Sequence, residues 1–212
     1  MALGLLTAVV PARQHSHVYK PKLSKIRKGS EWRLVGRPAP TDAGTNAVQF
    51  VEQTGDGMAW LNGVSFREGE IEVDLKGRDL LQKSFLGVAF HATDDEHCDL
   101  IYFRPFNFKS DDPARRGHAV QYVSAPYFTW QKLRAETPGK YENAILDAPD
   151  PSAWFHARIV VRSGKISVYV NHSDKPSLVV DQLQGLQGDR MGLWIGPDSD
   201  AAFKDLKITA DR

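Results

Sequence analysis

The stretch GEIEVDLKG, Gly69 to Gly77, decides the fold. Ile71, Val73 and Leu75 fall on one side of an extended chain, and Glu70, Glu72 and Asp74 on the other, because successive side chains of a strand point to opposite faces. One face calls for a core and the other for water, so this is a half-buried strand with a glycine at each end. Moving outward, similar runs recur: AVQFVEQ (Ala47 to Gln53) before it, then SFLGVAFHA, DLIYFRP, HAVQYVS, WFHARIVVR, KISVYVN, SLVVDQL, GLWIG and FKDLKITA after it. Gly, Pro, Asn and Asp clusters separate them, and RSGK (Arg162 to Lys165) is a hairpin turn. No segment carries a helical stripe over three turns. Many short strands and no helices predict an all-β protein, a two-sheet antiparallel β-sandwich of the jelly-roll kind.

The 212 residues suffice for one domain with a sizeable core, placed at residues 31–212. Residues 1–30 are read as a tail. Its apolar run from Ala2 to Ala12 is too short to span a bilayer. That run is similar to the apolar part of a secretory signal without the usual basic start, which predicts a secreted or periplasmic protein; the alternative is a frayed tail on a cytoplasmic one. YKPKLSKIRKG (Tyr19 to Gly29) reads as a solvated basic linker. A net charge of +1, from 27 basic and 26 acidic residues, offers no field for nucleic acid or an anionic membrane. The single cysteine, Cys98, has no partner for an internal disulfide.

Alternation assigns faces. In DLIYFRP, Ile101 and Phe103 point to the core, so Tyr102 and Arg104 point away. In HAVQYVS, Gln121 lies opposite Val120 and Tyr122, and either face could be the core. Tyr102, Arg104, Gln121 and Trp194 are the candidates to line a hollow on one sheet.

The order FLGVAFHATDDEHCDLIYFRPFN, HAVQYVSAPYFTWQKLR, PGKYE and then GLWIG and FKDLKI resembles the concanavalin A-like lectin/glucanase sandwich. Within it, the chain from Trp32 onward is similar to the 3-keto-disaccharide hydrolase domain, chiefly in IYFRPFN, HAVQY and PGKYE. The closing FKDLKI has Ala202 where that family often has glycine before the phenylalanine. The resemblance implies action on sugars whose C3 hydroxyl a partner oxidoreductase has converted to a ketone. The ketone acidifies the C2 proton, so elimination of the C1 substituent needs a base, a group to hold the enolate and an acid for the leaving oxygen. Related sandwiches include sugar binders and ordinary glycosidases, so fold alone leaves activity open.

His118 is the candidate base or acid, because imidazole titrates near neutrality. Arg104 suits a developing oxyanion or a sugar diol, or else pairs with Asp99 or Glu142. Glu142 is either the acid or the carboxylate that orients an arginine. Asn107 and Gln121 offer amides to hydroxyls. Trp130, placed in a loop, offers a ring to a sugar face, and Trp194 a second. Lys132 and Arg134 alternate about Leu133 and so would share a face. His91 either lines the cleft or joins His97 on a metal. No cofactor is defined; the acid runs TDDE and KSDDP leave a divalent metal, calcium or a transition metal, open. Glu70, Glu72 and Asp74 have the alternate spacing of glucanase acids without the surrounding signature. Three readings stand: a hydrolase or lyase on (3-keto-)glycosides, a non-catalytic carbohydrate-binding module, and a structural domain that docks a protein.

Overall fold

The computed structural model describes residues 16–185 and 188–211; the apolar run read as a signal lies outside them. Two antiparallel sheets pack face to face. Sheet I runs, from edge to edge, β13 (Leu178–Asp181), β12 (Lys165–Val170), β11 (Phe155–Arg162), β6 (Gly69–Lys76), β15 (Ser199–Asp211), β4 (Ala47–Gln53) and β3 (Thr41–Asp42), with β1 (Ser16–Tyr19) on the end of β15. Sheet II runs β10 (Glu142–Asn143), β9 (Val120–Ala125), β8 (Cys98–Phe103), β7 (Leu86–Ala92), β14 (Arg190–Ile195), β5 (Gly57–Leu61) and β2 (Trp32–Val35).

GEIEVDLK is β6, in the middle of sheet I. Ile71 pairs with Ile159 on one side and Ile208 on the other, all facing the core. The opposite face is a lattice of charge. Glu72 accepts from Lys207 at 2.6 Å, Asp74 meets His156 at 2.7 Å, and Arg158 approaches Glu70 at 3.6 Å. Opposite charges on neighbouring strands stabilise such a face modestly. Between the sheets, Phe103 packs edge-on against Phe155 at 5.1 Å, and Phe108 does the same from a loop.

Sheet II differs. Every residue of β5, β7 and β8 is buried, on both faces. Something must therefore cover its outer face. Part of the cover comes from α2 (Trp130–Glu136), one of two short helices with α1 (Pro113–Arg116), where the sequence reading expected none. Asp112 caps α1 by accepting from Ala114 N–H at 2.8 Å, and Thr129 caps α2 by accepting from Lys132 N–H at 3.4 Å. Helices of one or two turns bury too few side chains to leave a periodic stripe; in α2 only Leu133 is buried.

The boundary at residue 31 also differs from the structure. Leu23 and Ile26, within the expected linker, sit in a 3₁₀ turn and are buried in the core, while β1 pairs with β15. The lysines and arginine around them dominated the reading, although two apolar side chains three residues apart suffice to anchor such a turn.

Candidate functional site

One cross-strand row spans the outer face of sheet II: Glu142, Gln121, Tyr102, Gly87, Trp194, Met58 and Val35, each the partner of the next. Its middle position must be small. A Cβ on Gly87 would lie 2.1 Å from the Ile101 carbonyl oxygen and 2.7 Å from the Tyr102 Cβ. With no side chain there, the Tyr102 and Trp194 rings meet above it at 5.1 Å.

Over this row lies a hollow of about 540 Å³, a size suited to a small organic ligand. Tyr102, Trp194, Met58, Leu100, Val123 and Cys98 form its floor, and Phe85, Phe128 and Trp130 its walls. Asp56, Asp95, Glu96, Thr129 and Gln131 also line it. Burial pushes the Tyr102 phenol up to about 12 and the Cys98 thiol up to about 12, the latter reinforced by nearby Asp99. Both stay protonated near neutrality, so this cysteine is an apolar lining group and not a nucleophile.

Beyond Tyr102, at the β9–β10 edge, the predicted polar residues converge. Arg104 is buried and donates to the Tyr102 hydroxyl at 2.6 Å, to Gln121 Oε1 at 3.2 Å and to the His118 carbonyl at 2.9 Å. Burial draws its guanidinium below the ordinary arginine range. Arg134 binds Glu142 with two parallel hydrogen bonds, from Nε to Oε1 at 2.8 Å and from Nη2 to Oε2 at 2.5 Å, and this contact raises its own proton affinity. The same guanidinium lies over the Trp130 ring at 4.9 Å, one helical turn away in α2. His118 Nε2 stands 3.4 Å from Glu142 Oε1. Burial, helped by Arg134 and Arg104 and opposed by Glu142, lowers its imidazole below the usual histidine value. Asn107 donates to the His118 carbonyl at 3.2 Å. Arg104, Asn107 and Glu142 thus all bear on His118. The Gln121 amide group donates to the Tyr122 and Tyr141 carbonyls, so both ends of this side chain are engaged within the protein.

Other candidates lie elsewhere. His91 is inside the sandwich, its Nδ1 at 2.8 Å from Asp99 Oδ2 and its Nε2 at 2.6 Å from the Arg67 carbonyl. Strict alternation assigns His91 to the outer face, but its φ of 54° and the register shift of β14 against β7 turn the ring inward. Asp99 also accepts from Tyr122 at 2.8 Å, Ser124 at 2.6 Å and Gln182 at 3.1 Å. It is therefore no partner of Arg104, which pairs with Glu142 at 3.8 Å. His97 pairs with Asp94 in an exposed turn, apart from His91. Among the described residues no three His, Cys, Asp or Glu side chains gather as metal ligands do. Lys132 and Arg134 do not share a face: on a helix, residues two apart diverge, and Lys132 lies over Phe128 at 5.0 Å. Glu70, Glu72 and Asp74 sit on the charged face of sheet I, away from the hollow.

The sequence reading overlooked most of the hollow's floor. Leu100 and Val123 were within reach, since each alternates with a named residue, Tyr102 or Gln121. Met58, Phe85 and Asp56 gave no local signal, because only sheet pairing and loop paths bring them there.

No protein-family profile and no curated protein matches the chain. Solved structures do. A carbohydrate-binding module, CBM66 from Bacillus subtilis, superposes with a TM-score of 0.58 at 15% identity, covering 84% of this chain and 95% of that one. A Bacillus subtilis protein of unknown function with a galectin-like fold gives 0.60 at 13% identity, covering 92% and 96%. This chain shares their two-sheet jelly-roll fold. The lumenal domain of VIP36 with Ca2+ and Man3GlcNAc bound gives 0.56 at 13% identity, covering 92% and 90%. At these identities the likeness is one of fold.

Proposed function

We propose that the chain binds a carbohydrate on the outer face of sheet II, at the hollow between Trp130 and Trp194. The observation that carries this reading is one ligand-sized depression with the exposed Trp130 at its wall and the buried Tyr102 and Trp194 rings on its floor. Aromatic faces suit the C–H faces of sugars, and Trp130, with Arg134 over part of its ring, is still 41% exposed. Similar folds in a carbohydrate-binding module and in a Man3GlcNAc-bound domain support it. Screening the protein on a glycan array tests it. Retention on at least one glycan, lost in Trp130→Ala with an unchanged melting temperature, is expected; no retention on any glycan overturns the reading.

A second reading is favoured by His118: turnover of a glycoside carrying a ketone at C3, as the resemblance to 3-keto-disaccharide hydrolases implies. An imidazole kept neutral by burial, 3.4 Å from the arginine-held Glu142, is poised to accept a proton. In this scheme His118 takes the C2 proton and returns it to the glycosidic oxygen as the C1–O bond breaks. Water then adds across the C1–C2 double bond. Glu142 is the orienting carboxylate, since two hydrogen bonds from Arg134 fix both of its oxygens. An oxidoreductase acting on the sugar would have to supply the ketone. Incubation with 3-keto-glucosides, followed by mass spectrometry, is expected to give free aglycone from wild type and none from His118→Ala, with glycan retention preserved. Absence of turnover by wild type leaves binding as the function.

A further inference from the structure

The floor of the hollow and its mouth differ in chemistry, and the difference bears on which part of a ligand goes where. On the floor, the guanidinium and amide groups of the outer face are already engaged. The Arg104 guanidinium donates to Tyr102, Gln121 and the His118 carbonyl, and Gln121 is bonded at both ends. What remains to touch a ligand is Met58, Leu100, Val123, Trp194 and the Tyr102 ring, each less than 9% exposed. A sugar lying there would bury hydroxyls without partners, which is costly. The mouth is the reverse. Asp56, Glu96 and Gln131 line the hollow and are exposed, and among the described residues their side chains make no hydrogen bond. Desolvation by the surrounding protein raises the Asp56 carboxyl against the pull of Arg37, and no donor sits on it.

Resting on the carbohydrate reading above, we infer that the hollow takes the aryl aglycone of an aryl glycoside, ring down on the apolar floor, with the sugar held at the mouth by Asp56, Glu96 and Gln131. An aromatic group is favoured over an aliphatic chain by the company it would keep. Phe85, Phe128, Trp130, Tyr102 and Trp194 surround the space, and Met58 and Cys98 present sulfur to it.

The test compares three probes by isothermal titration against the full chain: phenyl glycosides of glucose, galactose, mannose and xylose, the matching methyl glycosides, and phenol. For at least one sugar, the phenyl glycoside is expected to bind roughly tenfold or more tighter than either its methyl counterpart or phenol. Leu100→Phe, which fills the hollow, is expected to remove the advantage of phenyl over methyl glycosides. Gln131→Ala is expected to weaken phenyl and methyl glycosides alike and to leave phenol unchanged. Equal binding of phenyl and methyl glycosides overturns the inference and leaves the carbohydrate reading intact. Phenol binding as tightly as every phenyl glycoside overturns the carbohydrate reading itself. Failure of all three probes to bind at millimolar concentration also overturns the inference. The wild-type comparison stands even if Leu100→Phe does not fold.

Discussion

The two sheets solve one problem differently. In sheet I, β6 and β11 alternate buried and half-buried residues along their length, and the outer face is neutralised by ion pairs open to water. In sheet II, β7 and β8 are buried throughout, and the outer face is roofed by α2, by the Arg104–Glu142–Arg134 cluster and by Arg190 stacked on Trp60 at 4.8 Å. A roof that leaves a hollow, over a sheet that no longer needs to face solvent, is where a ligand can be enclosed. Charge on sheet I keeps that face soluble; sheet II carries a buried charged cluster at its β9–β10 edge, where burial perturbs it.

The largest break in this comparison should come from Asp99, which has four donors around it inside sheet II. Asp99→Ala leaves His91, Tyr122, Ser124 and Gln182 without their acceptor, and chemical denaturation should show a loss of about 3–5 kcal/mol. Less is expected from Arg134→Ala, about 2 kcal/mol, since it removes two charge-assisted bonds from a half-buried pair. In that variant Trp130 also loses the guanidinium that lies on its ring, so ligand affinity should fall with stability, whereas a merely structural loss would leave affinity unchanged.

His118 gives a smaller, pH-dependent effect. Its folded proton affinity lies below the ordinary value of 6.5, so the unfolded chain binds more protons just below that pH. Stability from this group is fully present above about pH 6.5 and declines as pH falls beneath it. Denaturation midpoints measured from pH 7 to pH 5 should therefore drop more steeply for wild type than for His118→Gln; parallel slopes would sink the assignment. The smallest effect belongs to sheet I. Asp74→Ala removes contacts to His156 and Lys204 on the solvated face and should cost under about 1 kcal/mol, diminishing with added salt. If Asp74→Ala and Asp99→Ala cost the same, the contrast between the sheets is wrong.

By itself, the sequence determined where ten of the strands run, though not β1, β2, β3, β5 or β10, and that two sheets must pack. Alternation in GEIEVDLKG and WFHARIVVR is a local property of an extended chain, and β6 and β11 follow it residue by residue. It also singled out Tyr102, Arg104, Gln121 and Glu142, which the β8–β9–β10 register joins. Tertiary structure alone decided the rest: that His91 turns inward at a bulge, that α2 is a helix carrying Trp130 and Arg134 together, that Leu23 and Ile26 belong to the core, and that Met58 and Phe85 reach the hollow. Those outcomes depend on which strands become neighbours across long stretches of chain, and no local periodicity encodes that choice.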